Sequence, residues 1–195
     1  RRKDRLISRP NWQWTRAADG VASHRATGEE FSMDAVDRKI LAILQKDASI
    51  SIAELAGRVN LSQTPCWKRI QKLEREGVIT GRVALLSPEK LGLGLTVFVS
   101  VETADHSKPW LENFAAVVSD MPEVMDFYRM AGDVDYMLRV VVADMAGYDG
   151  FYKRLIAAVP LKNVTSRFAM ERIKATTAFA IPEAETVKAK RGAAA

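Results

Sequence analysis

The sequence is short of the residues that build covalent or metal-held scaffolds. It has one cysteine, Cys66, which excludes an intramolecular disulfide, and two histidines, too few with it for a structural zinc site. No uninterrupted apolar run approaches the roughly 20 residues that a membrane-spanning helix needs. The start is basic, yet no apolar stretch of the kind that marks a secretory signal follows it. A Gly-rich phosphate loop, a paired His–carboxylate constellation and a nucleophile with a neighbouring base are all missing. The expectation from these absences is a soluble, cytoplasmic protein that is not an enzyme, with no metal, no cofactor and no membrane partner.

What is present is a core and an uneven charge. The hydrophobic fraction is 48%, enough over 195 residues for two small domains or one of ordinary size. Net charge is +5, but residues 1–32 carry +3, residues 33–90 carry +3 and residues 91–195 carry −1. A basic front half joined to a near-neutral back half suggests a polyanion-binding part and a part of another kind.

The most informative stretch runs from Leu61 to Gly77. Ser62 suits an N-cap, helix-favouring residues follow, and Gly77 stops them. Cys66, Ile70 and Leu73 recur at i, i+4 and i+7, an apolar stripe on one face. Thr64, Trp67, Lys68, Lys72 and Arg75 take the other face, with Arg69 at the margin. A helix with a buried stripe and a basic outer face suits the DNA major groove. Upstream, Asp34 opens a helix whose apolar positions are Val36, Ile40, Ile43 and Leu44, running to about Lys46. Ser51 caps a second, with Ile52, Leu55, Ala56 and Val59 inward, and Asn60-Leu61 makes the turn into the third. Three short helices in this order form a helix-turn-helix.

Residues 1–32 show no period, so the expectation is a natural start at Met33 or a flexible extension over 1–32, with a basic arm for DNA phosphates as the functional alternative. Residues 33–86 are the DNA-binding domain, with an extended segment from Arg82 to Leu86 reading as a wing or a strand. A linker follows over 87–94, jointed at Leu91-Gly92-Leu93-Gly94. Beyond it the period changes. The order over 95–181 is strand, helix, strand, strand, helix, strand, which predicts a ferredoxin-like α+β sandwich. Residues 182–195 are expected to be a frayed tail.

The segment Ser62-Gln63-Thr64-Pro65-Cys66 with Arg69 and Leu73-Glu74, then Gly77-Val78-Ile79, then Gly132-Asp133-Val134-Asp135-Tyr136 together resemble the leucine-responsive/AsnC family of regulators. The resemblance spans about residues 33–180. Gln63 stands where the leucine-responsive branch has proline, and Trp67 where it has leucine. The resemblance implies a winged helix-turn-helix transcriptional regulator whose C-terminal half binds a small effector, often an amino acid. It also implies sheets that pair across a homodimer, and dimers that build into octamers.

For double-stranded DNA, Ser62, Gln63 and Thr64 open the third helix, where Gln63 and Thr64 are placed to read bases. Lys68, Arg69 and Lys72 are expected on phosphates, and Trp67 either on the sugar-phosphate backbone or over the domain core. Cys66 reads as core. For the effector, the turn Gly132, Asp133, Asp135 and Tyr136 lets a ligand approach the backbone and offers a carboxylate to an ammonium group. By motif position the resemblance adds Met145, with Tyr128 on the preceding strand. The structural alternative is that Asp133 and Asp135 only shape the turn. Two rival functions stay open at this point: an architectural, nucleoid-like DNA-binding protein without effector, and a small ferredoxin-like enzyme. His24 and His106 would be the histidines of the latter, though both read more simply as solvated.

Overall fold

The computed structural model describes residues 32–182, in two compact units. Residues 1–31, with His24, Trp12 and Trp14, and residues 183–195 lie outside the described residues, and with them the expected N-terminal extension and frayed tail.

The first unit holds α1 (Ala35–Leu44), α2 (Ile52–Arg58) and α3 (Gln63–Arg75). Asp34 caps α1 by accepting the Val36 and Asp37 amides, and the Asp37 carboxylate returns to the Asp34 N–H, a reciprocal capping box. Ser51 caps α2 through the Glu54 amide. Between α2 and α3, Asn60 takes a left-handed backbone with φ 56°, which turns the chain sharply enough to cross the two helices. Cys66, Ile70 and Leu73 of α3 are buried with Ile40, Leu55, Ala56 and Val59, so the apolar stripe read from spacing is the core of this unit. Burial pushes the Cys66 thiol up, away from the reactive thiolate, consistent with a packing role.

Gly77 ends α3 with φ 71°, and nothing lies within 4 Å of where a side-chain carbon would stand. Gly77→Ala should therefore cost backbone strain alone, about 1–2 kcal/mol of unfolding free energy in a urea titration. A neutral result would mean that the turn relaxes to another conformation. Val78 and Ile79 fold back against the helical core after it. Residues 80–87 form neither a helix nor a paired strand, and Arg82 of this segment donates to Glu74 of α3 at 2.8 Å. The expected joint is a single 3-10 turn, Glu89–Leu91, closed by Gly92 at φ 74°.

The second unit contains β1 (Leu95–Glu102), α4 (Lys108–Ser119), β2 (Val124–Arg129), β3 (Tyr136–Val142), α5 (Met145–Ala158) and β4 (Asn163–Phe168). The four strands form one antiparallel sheet in the order β2-β3-β1-β4, the ferredoxin-like arrangement expected from the element order. Valines 97, 99 and 101 of β1 and Tyr136, Leu138, Val140 and Val142 of β3 point to one face. There they meet Trp110, Phe114 and Val118 of α4 and Tyr148, Phe151 and Leu155 of α5. Aromatic rings fill the centre: Phe114 lies 4.9 Å from Trp110, 5.4 Å from Phe127 and 5.2 Å from Tyr136, centroid to centroid. Ser107 and Asp144 cap the two helices, with Pro109 in the first turn of α4. A bulge between Val124 and Asp126 leaves Met125 half exposed on the edge strand.

One segment from the C-terminal region docks on the helical unit. Residues 172–182, assigned above to the C-terminal domain and its tail, group with the helical unit. The Gln45 side-chain amide exchanges two hydrogen bonds with the Phe179 backbone, at 2.9 and 3.0 Å, and Arg38 donates to the Pro182 carbonyl at 2.6 Å. Side-chain docking of a backbone segment has no periodicity, so composition gave no sign of it.

Candidate functional sites

The N-terminal turn of α3 presents its polar residues outward because the stripe on the opposite side is committed to the core. Ser62, Gln63, Thr64 and Lys68 are exposed, Lys72 is half-buried, and the Ser62 hydroxyl makes no capping hydrogen bond although it holds the cap position. Trp67 is 53% exposed and takes no part in the core, which decides between its two sequence readings against the core. These side chains form one surface of polar and cationic groups along the helix.

Arg69 is different. Its Nη1 donates to Asp34 Oδ2 at 2.6 Å and to Asp37 Oδ1 at 2.7 Å, joining α3 to the start of α1. The sequence expectation of a simple phosphate contact overlooked these carboxylates. They lie more than thirty residues upstream, and only the fold brings them to α3. Partial burial would raise the Asp34 carboxyl, but the Asp37 amide and the Arg69 guanidinium outweigh it and hold it below the ordinary carboxylate range. The same pairings hold the Arg69 guanidinium above its ordinary value. A cavity of about 460 Å³ opens between α1 and α3, lined by Asp34, Asp37, Pro65, Lys68, Arg69 and Lys72 among others.

In the second unit the turn between β2 and β3 carries Gly132 at φ 137°, a backbone open to close approach, with Asp133 exposed beside it. Asp135 Oδ2 accepts the Thr103 backbone N–H at 2.8 Å, while Oδ1 stands 3.7 Å from His106 Nδ1. The Asp135 main chain also bonds in both directions, its N–H to the Val101 carbonyl and its carbonyl to the Met130 N–H. The carboxylate is thus held in one orientation against the loop that follows β1. Met145, the first residue of α5, is 57% exposed.

Tyr136 and Tyr128 do not share a site as the sequence reading placed them. Tyr136 is 3% exposed and packs its ring among Trp110, Phe114 and Phe127, with its phenol raised by burial. Tyr128 is 55% exposed and pairs in register with Met137 on the other face of the sheet. Strand alternation separates them, a feature of pairing register rather than of the motif. Tyr136 is a core residue.

Among the described residues, the helices of this unit pack on the core face, and none is buried against the opposite face of the sheet. Phe98 and Tyr128 are exposed there. The polar groups among them are tied together: Arg139 to Asp126, and Arg167 Nη1 to Ser100 Oγ at 2.6 Å. The Arg167–Ser100 bond joins β4 to β1 over a separation of 67 residues, which no local pattern in β4 announces.

A basic helix-turn-helix joined to a ferredoxin-like domain with a built carboxylate turn defines a two-part DNA-binding transcriptional regulator. The comparisons agree. Residues 33–80 match the winged helix-turn-helix DNA-binding model and residues 96–179 the Lrp/AsnC ligand binding domain. The chain is 57% identical over 150 residues to the DNA-binding transcriptional activator DecR of Escherichia coli, covering 76% of this chain and 99% of that protein. It is 48% identical over 161 residues to the glutamate uptake regulatory protein of Zymomonas mobilis, covering 83% and 98%. Among solved structures it resembles an AsnC family regulator from Agrobacterium tumefaciens (TM-score 0.73, 60% identity, 75% and 96% covered). It also resembles a Neisseria meningitidis regulator solved with L-Met (TM-score 0.73, 35% identity, 80% and 99% covered). The chain belongs to the Lrp/AsnC family of transcriptional regulators.

Proposed function

We propose that this regulator acts in the cytoplasm as a homodimer that sets two copies of α3 into successive major grooves, its DNA contacts tuned by an amino acid bound in the C-terminal domain. Gln63 and Thr64 read base edges, a glutamine amide being matched to adenine. Lys68 and Lys72 hold phosphates, and Trp67 lies on the sugar-phosphate backbone. Half-sites are then about one helical turn apart. Effector binding uses Asp135 against the ligand ammonium, with Gly132 and Asp133 in the turn and Tyr128 on the neighbouring strand; Met145 stands beyond the other end of β3, about 20 Å away along the strand, and is not a contact of the same amino acid. The amino acid shifts activity only through unequal affinity for two assemblies, dimer and octamer. The protein has no catalytic activity of its own.

The observation that carries the effector half is the pinned Asp135 carboxylate beside a positive-φ glycine. The relative solved with L-Met supports an amino acid as the ligand class. The experiment is a thermal-shift screen of the full chain against the twenty amino acids at millimolar concentration. A ligand at a hundred times its dissociation constant adds about 2.7 kcal/mol to the folded state. One amino acid should raise the melting temperature, and Asp135→Ala should abolish that rise. A flat screen would reject an amino-acid effector.

A further inference from the structure

We propose that Arg69, with Asp34 and Asp37, is a clamp that positions α3 for DNA and makes no phosphate contact of its own. The proposal rests on the reading that α3 faces DNA. All four carboxylate oxygens of the clamp are used. Asp34 Oδ1 takes the Val36 and Asp37 amides, each at 2.8 Å, and Oδ2 takes Arg69. Asp37 Oδ1 takes Arg69, and Oδ2 takes the Asp34 amide at 3.3 Å. Asp37 is 2% exposed, so its charge is buried and needs the guanidinium opposite it.

The electrostatics point the same way. Two carboxylates against one guanidinium leave the cluster with a net charge of −1, which repels a phosphate rather than attracting one. The carboxylates also sit at the start of α1, where the unpaired amides and the helix dipole favour them. The clamp therefore has a reason to exist without DNA. Arg69 directly follows Lys68 on α3, and both line the same cavity. Fixing Arg69 to α1 fixes the rotation of α3 about its axis, and with it the direction in which Gln63, Thr64 and Lys68 are presented.

The test is an anisotropy titration of the full chain on one duplex over a salt series, for wild type, Lys68→Ala, Arg69→Ala, Asp34→Asn and the Arg69→Ala/Asp34→Asn pair. A phosphate contact contributes about 0.9 to the slope of log affinity against log salt. The clamp predicts that Arg69→Ala and Asp34→Asn each weaken binding by about threefold to tenfold with an unchanged slope, and that the pair is no weaker than the worse single variant. A slope reduced by about one in Arg69→Ala would overturn the clamp. So would tighter binding by Asp34→Asn, the result that charge removal alone would give. Unchanged affinity in both, measured well below their melting temperatures, would reduce the cluster to a stability element and overturn it too. If Arg69→Ala does not fold, the half-exposed Asp34→Asn decides by the sign of its effect. Lys68→Ala tests the parent reading separately: its slope should fall by about one, and no fall would reject the DNA-facing α3 itself.

Discussion

Phe114→Ala should lower the unfolding free energy of the C-terminal domain by about 3–5 kcal/mol, the range for truncating a fully buried phenylalanine. Phe114 has no exposed surface, and its ring touches those of Trp110, Phe127 and Tyr136. Removing it leaves a cavity bounded by three rings on α4, β2 and β3, which are too large to collapse inward without leaving their rotamers. Edge-to-face pairs also lose about 0.5–1.5 kcal/mol each beyond burial, and Phe114 makes two such contacts. Since a marginal domain holds only about 5–15 kcal/mol in total, the variant should lie close to unfolding at ambient temperature. Urea unfolding followed by near-UV circular dichroism measures the loss, because the rings concerned carry the signal. A cost under about 1.5 kcal/mol would mean that the cluster repacks around the gap.

Gln63→Ala should weaken binding to the preferred site by about 1–3 kcal/mol, roughly fivefold to 150-fold, while leaving affinity for unrelated duplexes nearly unchanged. The exposed amide at the start of α3 is neutral, so its loss should not alter the salt slope. That combination separates a base reader from a phosphate contact. The comparison needs one duplex selected by the protein from a random pool and one shuffled control, titrated at the same salt concentration. Equal losses on both duplexes would show that Gln63 holds the helix in place rather than reading sequence. Loss on neither would move base reading to Thr64 and the residues after it.

Helix and strand periods were legible because each reports a property of the local chain. The stripe Cys66, Ile70 and Leu73 is buried as its spacing requires, and Asp34 and Ser51 cap the helices they precede. Gly77 and Gly92 mark left-handed backbone where the chain must turn. In the C-terminal half the switch to strand period at Leu95 marked a change of unit, and the order of elements left the ferredoxin-like sheet as the natural arrangement.

Four features were not legible, each for a reason of distance or register. The Arg69 clamp joins residues 32 and 35 positions apart, and nothing local in α3 distinguishes a guanidinium that will meet carboxylates from one left to solvent. Tyr136 and Tyr128 went to opposite faces because the pairing of β2 with β3, bulge included, sets the alternation. Asp135 turned toward Thr103 because the loop after β1 brings a backbone N–H to it at the end of the paired strands β1 and β3. Residues 172–182 joined the helical unit through the Gln45 amide, a contact between a side chain and a distant backbone. The sequence by itself determined the helices, the strands, their caps and the family to which the chain belongs, since these depend on residue type and short-range spacing. Only the tertiary structure decided which charged groups meet and which face each ring occupies, because both depend on residues brought together from far apart in the chain.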